Sequence, residues 1–197
     1  MAGSTERKSP VSVLRIAYAP LIIDTVAGVE YGKVTEMDKA LISAGYTPQM
    51  QNNQQFASGQ QYDGYTSKTG GDVNIQTPGL NGEDHKNLLG NSYNPETGLI
   101  KSNKSDVVPY VATMYSTENS NGTVNLYKFY KVQYSNNGEQ VTTKDSSGVT
   151  FQATTLNGKY EPLQYNGDDM DMIKGLDPVK DKAIIDEWFE KVVPDAA

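Results

Sequence analysis

The chain has 197 residues, no cysteine and one histidine, His85. That composition excludes disulfides, thiol catalysis, Cys-based zinc sites and any multi-histidine metal site. The formal net charge of −7 comes from 24 acidic and 17 basic residues, which excludes the broadly basic surface that phosphate neutralisation of nucleic acid requires.

The charge is unevenly spread. Residues 166–197 hold nine acids and four bases, a net of −5, whereas residues 1–165 hold fifteen and thirteen, a net of −2. No stretch approaches the roughly 18 apolar residues of a membrane span. Met1 to Pro10 is polar and lacks the apolar run of a signal peptide. The expectation is a soluble chain made in the cytoplasm, with residues 1–10 a flexible arm and 11–197 one domain.

In chain order, Val11 to Tyr18 is the first strand candidate, carried by Val11, Val13 and Leu14. Asp24 to Gly28 predicts a turn, Val29 to Thr35 a second strand and Leu41 to Tyr46 a third. Residues 49–61 form an uncharged Gln/Asn run. It reads either as a flexible loop or as a ribbon that pairs only beside neighbouring subunits. Asp72 to Thr77 alternates Val73 and Ile75 against Asp72, Asn74 and Gln76, the pattern of a half-buried strand. Gly82 to Leu89 predicts a short helix, with Asn81 or Gly82 near its cap and Gly90 behind it. Residues 91–105 read as a surface loop.

The strongest strand signals follow. Val107 to Tyr115 places apolar residues on both faces, so both sides should be covered. Asn119 to Gly122 predicts a turn, and Thr123 to Tyr134 the longest strand. Asn136-Asn137-Gly138 predicts a hairpin turn. Gln140 to Lys144 and Val149 to Leu156 are further strands. Asn157-Gly158 predicts a turn into a last strand, Lys159 to Tyr165. Asp177 as N-cap and Pro178 as first residue predict an amphipathic helix over about 178–192, with Val179, Ala183, Ile184, Trp188 and Val192 as its stripe and Ile185, Phe189 and Val193 widening it.

Chemistry is sparse. His85 sits in a charged turn and reads as a solvated surface histidine rather than a relay base. The run Asp168-Asp169-Met170-Asp171, with Asp177, is a candidate cation loop. Counted from Asp169, however, position six is Lys174 and position twelve Lys180, so the EF-hand pattern fails twice. A solvated acidic loop is the plainer reading. Gly70-Gly71 precedes a strand and lacks the helix and Lys-Ser/Thr of a phosphate loop. The residues therefore predict no catalytic, cofactor or metal site. The thirteen tyrosines, among them Tyr127, Tyr130 and Tyr134 on one strand, suit a core or an inter-subunit seam.

Several segments, in order, resemble the major tail tube protein family of long-tailed phages and prophages of Gram-positive bacteria. They are Ile16-Ala17-Tyr18-Ala19-Pro20-Leu21 with Asp24-Thr25 and Val29-Glu30-Tyr31-Gly32; Asp106-Val107-Val108-Pro109-Tyr110-Val111-Ala112; and Leu126-Tyr127-Lys128-Phe129-Tyr130-Lys131-Val132. Phe151, Leu156-Asn157-Gly158 and Glu187-Trp188-Phe189 complete the match, over about residues 12–193. With the elements above, the resemblance implies a mainly β (α+β) chain, an antiparallel β-sandwich of tube type with one short helix and one C-terminal amphipathic helix. It also implies a structural virion protein, not an enzyme. Subunits would form hexameric rings that stack into a tube, with a lumen barrel of about twenty-four strands. DNA would pass without specific binding, and the tape measure and tail terminator proteins would be partners. A carbohydrate- or receptor-binding β-sandwich, with tyrosines and Trp188 lining a groove, is the alternative.

Overall fold

The two strongest strand signals form the centre of the molecule. The computed structural model describes residues 8–37, 41–57, 60–136, 138 and 152–192. In it β8 (Tyr110–Asn119) and β9 (Val124–Asn136) pair antiparallel and are buried on both faces along nearly their whole length. Their dense β-branched and aromatic content suits a position covered from both sides. β1 (Pro10–Thr25) adds to β8, and β2 (Gly28–Tyr31) and β3 (Thr35–Glu36) add to β1. On the other side β9 is shared. Its C-terminal half pairs with β10 (Thr154–Tyr160) and its N-terminal half with β11 (Met170–Leu176). β5 (Gln60–Thr77) follows β10, and β4 (Ser43–Ala57) closes the order β2-β1-β8-β9-β10-β5-β4. The nine strands form one curled antiparallel sheet; β6 (Ser92–Asn94) and β7 (Leu99–Lys101) make a separate hairpin.

The curl creates a core on each side of the β1-β8-β9 centre. One gathers Ile16, Tyr18, Val73, Ile75, Leu88, Tyr127, Phe129, Tyr134 and Leu156 beneath β4, β5 and helix α1 (Gly82–Leu89). The other gathers Ala17, Ala19, Ala112, Met114, Leu126, Tyr130 and Phe189 beneath β11 and helix α2 (Lys182–Glu190). Strand alternation sorts neighbours: Tyr18 goes to one core and Ala17 and Ala19 to the other. β9 changes parity once. A register shift between Val111 and Thr113 lets Tyr127 and Phe129, then Val132 and Tyr134, all enter the first core, while Tyr130 enters the second. A one-residue bulge is what reassigns faces in this way. In the first core Tyr115 stacks on Tyr127 at 4.7 Å between centroids, and Phe129 meets Tyr160 at 5.0 Å. Such pairs each add about 0.5–1.5 kcal/mol beyond area burial.

Helix α1 forms where its sequence signals lie. Asn81 accepts from the Asp84 N–H at 2.8 Å and Asp84 accepts from the Asn81 N–H at 3.1 Å, a reciprocal capping box. Gly90 ends the helix at φ +75°, a left-handed cap that favours glycine.

Several sequence expectations are corrected. Residues 49–57, 60 and 61 are paired strand within this chain, neither a loop nor a ribbon that waits for neighbouring subunits. Residues 92–101 contain the β6–β7 hairpin. Pro10, placed in the arm, opens β1 opposite Asn119, and residues 1–7 lie outside the described residues. Val107 to Pro109 precede β8 rather than begin it. Asn157-Gly158 is mid-strand in β10, because Gly158 lets Tyr134, Val73 and Val132 close over it where a Cβ would overlap all three. The expected last strand ends at Tyr160, not Tyr165. The acidic stretch contains strand β11. Helix α2 starts at Lys182, not Pro178. Asp177 instead accepts from the N–H groups of Val179 and Lys180 in a preceding turn. The buried stripe is correspondingly Phe189 and Val192, flanked by Ile185 and Trp188, while Val179 is 82% exposed. Gln140 to Lys144 and the turn at Asn137 lie outside the described residues.

Candidate assembly surface

Beyond the core, β4 and β5 continue together as a two-stranded ribbon. From Thr47 to Gln55 and from Tyr62 to Thr66 every described side chain is exposed, so the ribbon is wet on both faces. Nine residues of strand reach about 30 Å. Cross-strand pairs place Met50 beside Lys68, Asn52 beside Thr66 and Gln54 beside Gly64 on one face. Gln51 with Ser67, Asn53 with Tyr65 and Gln55 with Asp63 share the other. Met50, Tyr62 and Tyr65 are 66%, 78% and 70% exposed. Between Ser43 and Gly70 the only charged residues are Asp63 and Lys68.

β4 is also the terminal strand of the sheet, and among the described residues its outer side pairs with nothing. Solvent-exposed edges are ordinarily guarded by charge, proline, bulges or shortness. β4 is 15 residues long and carries no charge. Its one proline, Pro48, and its register shifts after Gln49 and Gln55 leave Met50 to Gln55 unguarded. A hairpin exposed on both faces is marginal by itself in water. The ribbon therefore offers an unguarded pairing edge and two polar, nearly neutral faces.

The root of the ribbon is tightly constructed. Gly70 adopts φ +115°, and a Cβ there would overlap the Tyr160 carbonyl. A Cβ on Gly71 would overlap both the Thr47 carbonyl and the Tyr160 ring. Just outside, Lys68 Nζ lies 2.8 and 2.6 Å from the two Asp169 carboxylate oxygens and sits over the Tyr160 ring at 5.7 Å. No sequence signal pointed to this pair, 101 residues apart.

The residues singled out from sequence do not converge. His85 is half-buried on α1, with Nδ1 3.3 Å from Asn91 Oδ1, and is not the freely solvated group expected. Its neighbour Asp84 is buried and turned away, accepting from the Tyr18 hydroxyl at 3.0 Å. The candidate cation carboxylates are each engaged by protein groups. Asp168 accepts from the Asn166 amide, Asp169 from Lys68, and Asp171 from the Tyr130 hydroxyl. Among the described residues no three His, Cys, Asp or Glu side chains are grouped to hold a metal. Tyr127, Tyr130 and Tyr134 are all core. Trp188 donates from Nε1 to the Tyr127 carbonyl at 3.4 Å and covers the Lys128 ammonium at 4.2 Å. It docks α2 on β9 and leaves the rest of its surface on the cleft between β11 and α2. Lys128 is 5% exposed, donates to the Lys191 carbonyl at 3.3 Å, and is held below the usual lysine pKa chiefly by burial.

Two concavities flank these elements. A cleft of about 440 Å³ lies between β11 and α2, lined by Lys128, Asp171, Ile184, Glu187, Trp188 and Lys191. A broader groove of about 800 Å³ crosses β5, β10 and β9, lined by polar residues such as Thr47, Asn74, Gln133, Asn157 and Lys159. Among the described residues no helix is long and apolar enough to cross a membrane.

A scan against protein-family models and a search of curated proteins each return no match to this chain. The class that the coordinates define is therefore a mainly β protein built on one curled antiparallel sheet with a projecting two-stranded ribbon.

Proposed function

We propose that this chain is the major tail tube subunit of a long-tailed phage or prophage, a structural protein that assembles with its own copies into stacked rings. The observation that carries the reading is the β4–β5 ribbon. It is a long, nearly uncharged strand pair with an unguarded edge, on a body whose cores are already closed by its own helices. Such an edge is a hazard in a monomer and a joint in an assembly. The ordered segment resemblance supports the phage assignment in particular. The hexameric ring is part of the same proposal, as are the DNA-carrying lumen, the tape measure and tail terminator partners and a place in the virion tail. Amide-rich ribbon faces suit a conduit wall, because phosphates passing a neutral polar surface release no counterions to hold them there. The reading assigns no catalysis.

The test is direct. Purified chain is followed by light scattering across concentration and imaged by negative-stain microscopy. Rings or tubes support the reading. A strict monomer at every concentration, also in the presence of preformed tail ends, sinks it.

A further inference from the structure

We propose that the β4–β5 ribbon is a hinged arm, held in its present orientation by the Lys68–Asp169 ion pair and pivoting at its root about the Gln49/Met50 register shift and Gly70. The inference concerns the isolated chain and stands apart from the assembly reading.

Four observations meet at this root. The strand pairing shifts register between Gln49 and Met50, opposite Lys68 to Gly70, so the ladder is interrupted where the ribbon leaves the body. A bulge is where a strand pair bends. Gly70 holds a backbone conformation that side chains rarely adopt, so no side chain of its own restricts a change of direction there. Outside the root, the described side chains from Met50 to Gln55 and from Tyr62 to Thr66 are exposed, so none of these seats the arm on the body by apolar packing.

The fourth observation separates a hinge from a rigid bend. Tyr160 is 1% exposed, yet its hydroxyl has no hydrogen-bond partner among the described residues. It lies directly against Gly71, on the strand that carries the arm. A buried hydroxyl without a partner disfavours the arrangement that buries it. Lys68, on the arm, lies over the Tyr160 ring at 5.7 Å, so a tilt that lifts Lys68 opens that ring toward water. Against this tilt stands Lys68, which reaches from the arm to Asp169 ahead of β11; among the described residues it is the arm's one ion pair to the body. Asp169 is 15% exposed on its side chain, so the pair is shielded enough to act as a latch. Asp169 also lies beside β9, because its carbonyl accepts from the Tyr130 N–H at 3.2 Å. The latch is thus fixed to the central sheet.

The absence of native cysteine makes the test clean. Spin labels are placed at Asn53→Cys on the arm and Val179→Cys on the body, and their distance distribution is measured by pulsed dipolar spectroscopy on dilute protein. The parent should give one narrow distribution. Lys68→Gln and Asp169→Asn should each broaden it or add a second distance. The charge-exchanged pair Lys68→Asp with Asp169→Lys should return the narrow one. Circular dichroism on each variant confirms the sheet, and Lys68→Gln, changed from the exposed side, serves if Asp169→Asn does not fold. Unchanged distributions in the single variants, a parent that is already broad, or an exchanged pair that stays broad would each overturn the latch.

Discussion

Lys131 Nζ donates to Asp24 Oδ2 at 2.9 Å, and both side chains are nearly enclosed, at 11% and 7% exposed. The second oxygen of Asp24 accepts from the backbone N–H groups of Gln164 at 2.8 Å and Tyr165 at 3.3 Å. The end of β1, the middle of β9 and the segment before β11 thus meet on one carboxylate. Removing one member of a buried pair strands the other, at a cost of about 3–5 kcal/mol. Asp24→Ala should lower the melting temperature by about 10 °C for a chain of this size. Asp24→Asn keeps an acceptor for the two backbone groups and should cost less. Thermal and urea denaturation followed by circular dichroism give both values. Equal, small effects would show that the pair is not the tie described.

Gly158 is a point of close contact. A Cβ there would lie 2.7 Å from a Tyr134 ring carbon and a Val73 methyl, and 2.8 Å from a Val132 methyl. None of the three can retreat from a filled core. Gly158→Ala should destabilise by about 1–3 kcal/mol through overpacking. Gly45→Ala, where nothing lies within 4 Å, should be neutral or slightly stabilising. Urea midpoints at constant slope distinguish the two.

These residues also show what was legible in the sequence. β8 and β9 could be read because burial on both faces demands the apolar density that marks them. Helix α1 could be read because Asn81, Asp84 and Gly90 carry its start and stop signals locally. Gly158 misled because Asn-Gly favours a tight turn, and only the side chains above it, from β9 and β5, explain a glycine within a strand. β11 was hidden because Asp171 and Lys174 interrupt its apolar residues, and it is held by pairing to β9 rather than by its own pattern. The ribbon was legible only as one of two readings, for a different reason. A strand pair exposed on both faces has no apolar alternation to read, and its pairing is decided by the register that β4 and β5 take inside the core. The Lys68–Asp169 pair was beyond sequence reasoning, since its partners meet only after the sheet curls.

Helix α2 is docked by few contacts, and Phe189 is its central one. Phe189 is 5% exposed, and the Arg15 guanidinium lies over its ring at 4.3 Å. Phe189→Ala should cost about 3–5 kcal/mol. The chain's one tryptophan, Trp188, is adjacent and half-buried. Its emission should therefore shift to the red as α2 loosens, while the β-sheet signal of far-ultraviolet dichroism persists. An unshifted emission would mean that Lys128 and the Tyr127 carbonyl hold the helix without Phe189.

The tyrosines set the alkaline limit of stability. Burial is the largest cause raising the phenol pKa of Tyr18, Tyr31, Tyr115, Tyr130 and Tyr134 well above the ordinary value, and it pushes Tyr160 up to about 12. For each, the folded state keeps a proton that the unfolded state releases near pH 10. Their contribution is fully present below that pH and is lost as pH rises above it, because the unfolded state then binds fewer protons. Lys128 acts with the opposite sign. Its depressed folded pKa means that raising the pH toward the ordinary lysine value relieves the cost of burying its charge. One such group stands against six phenols, so the net slope above about pH 10 is downward and steep. Unfolding free energy measured by urea at a series of pH values should fall sharply there. In a spectrophotometric titration, at least six phenolates should appear only together with collapse of the sheet signal. If all thirteen tyrosines ionised with an intact sheet, the enclosed phenols could not be what limits stability at high pH.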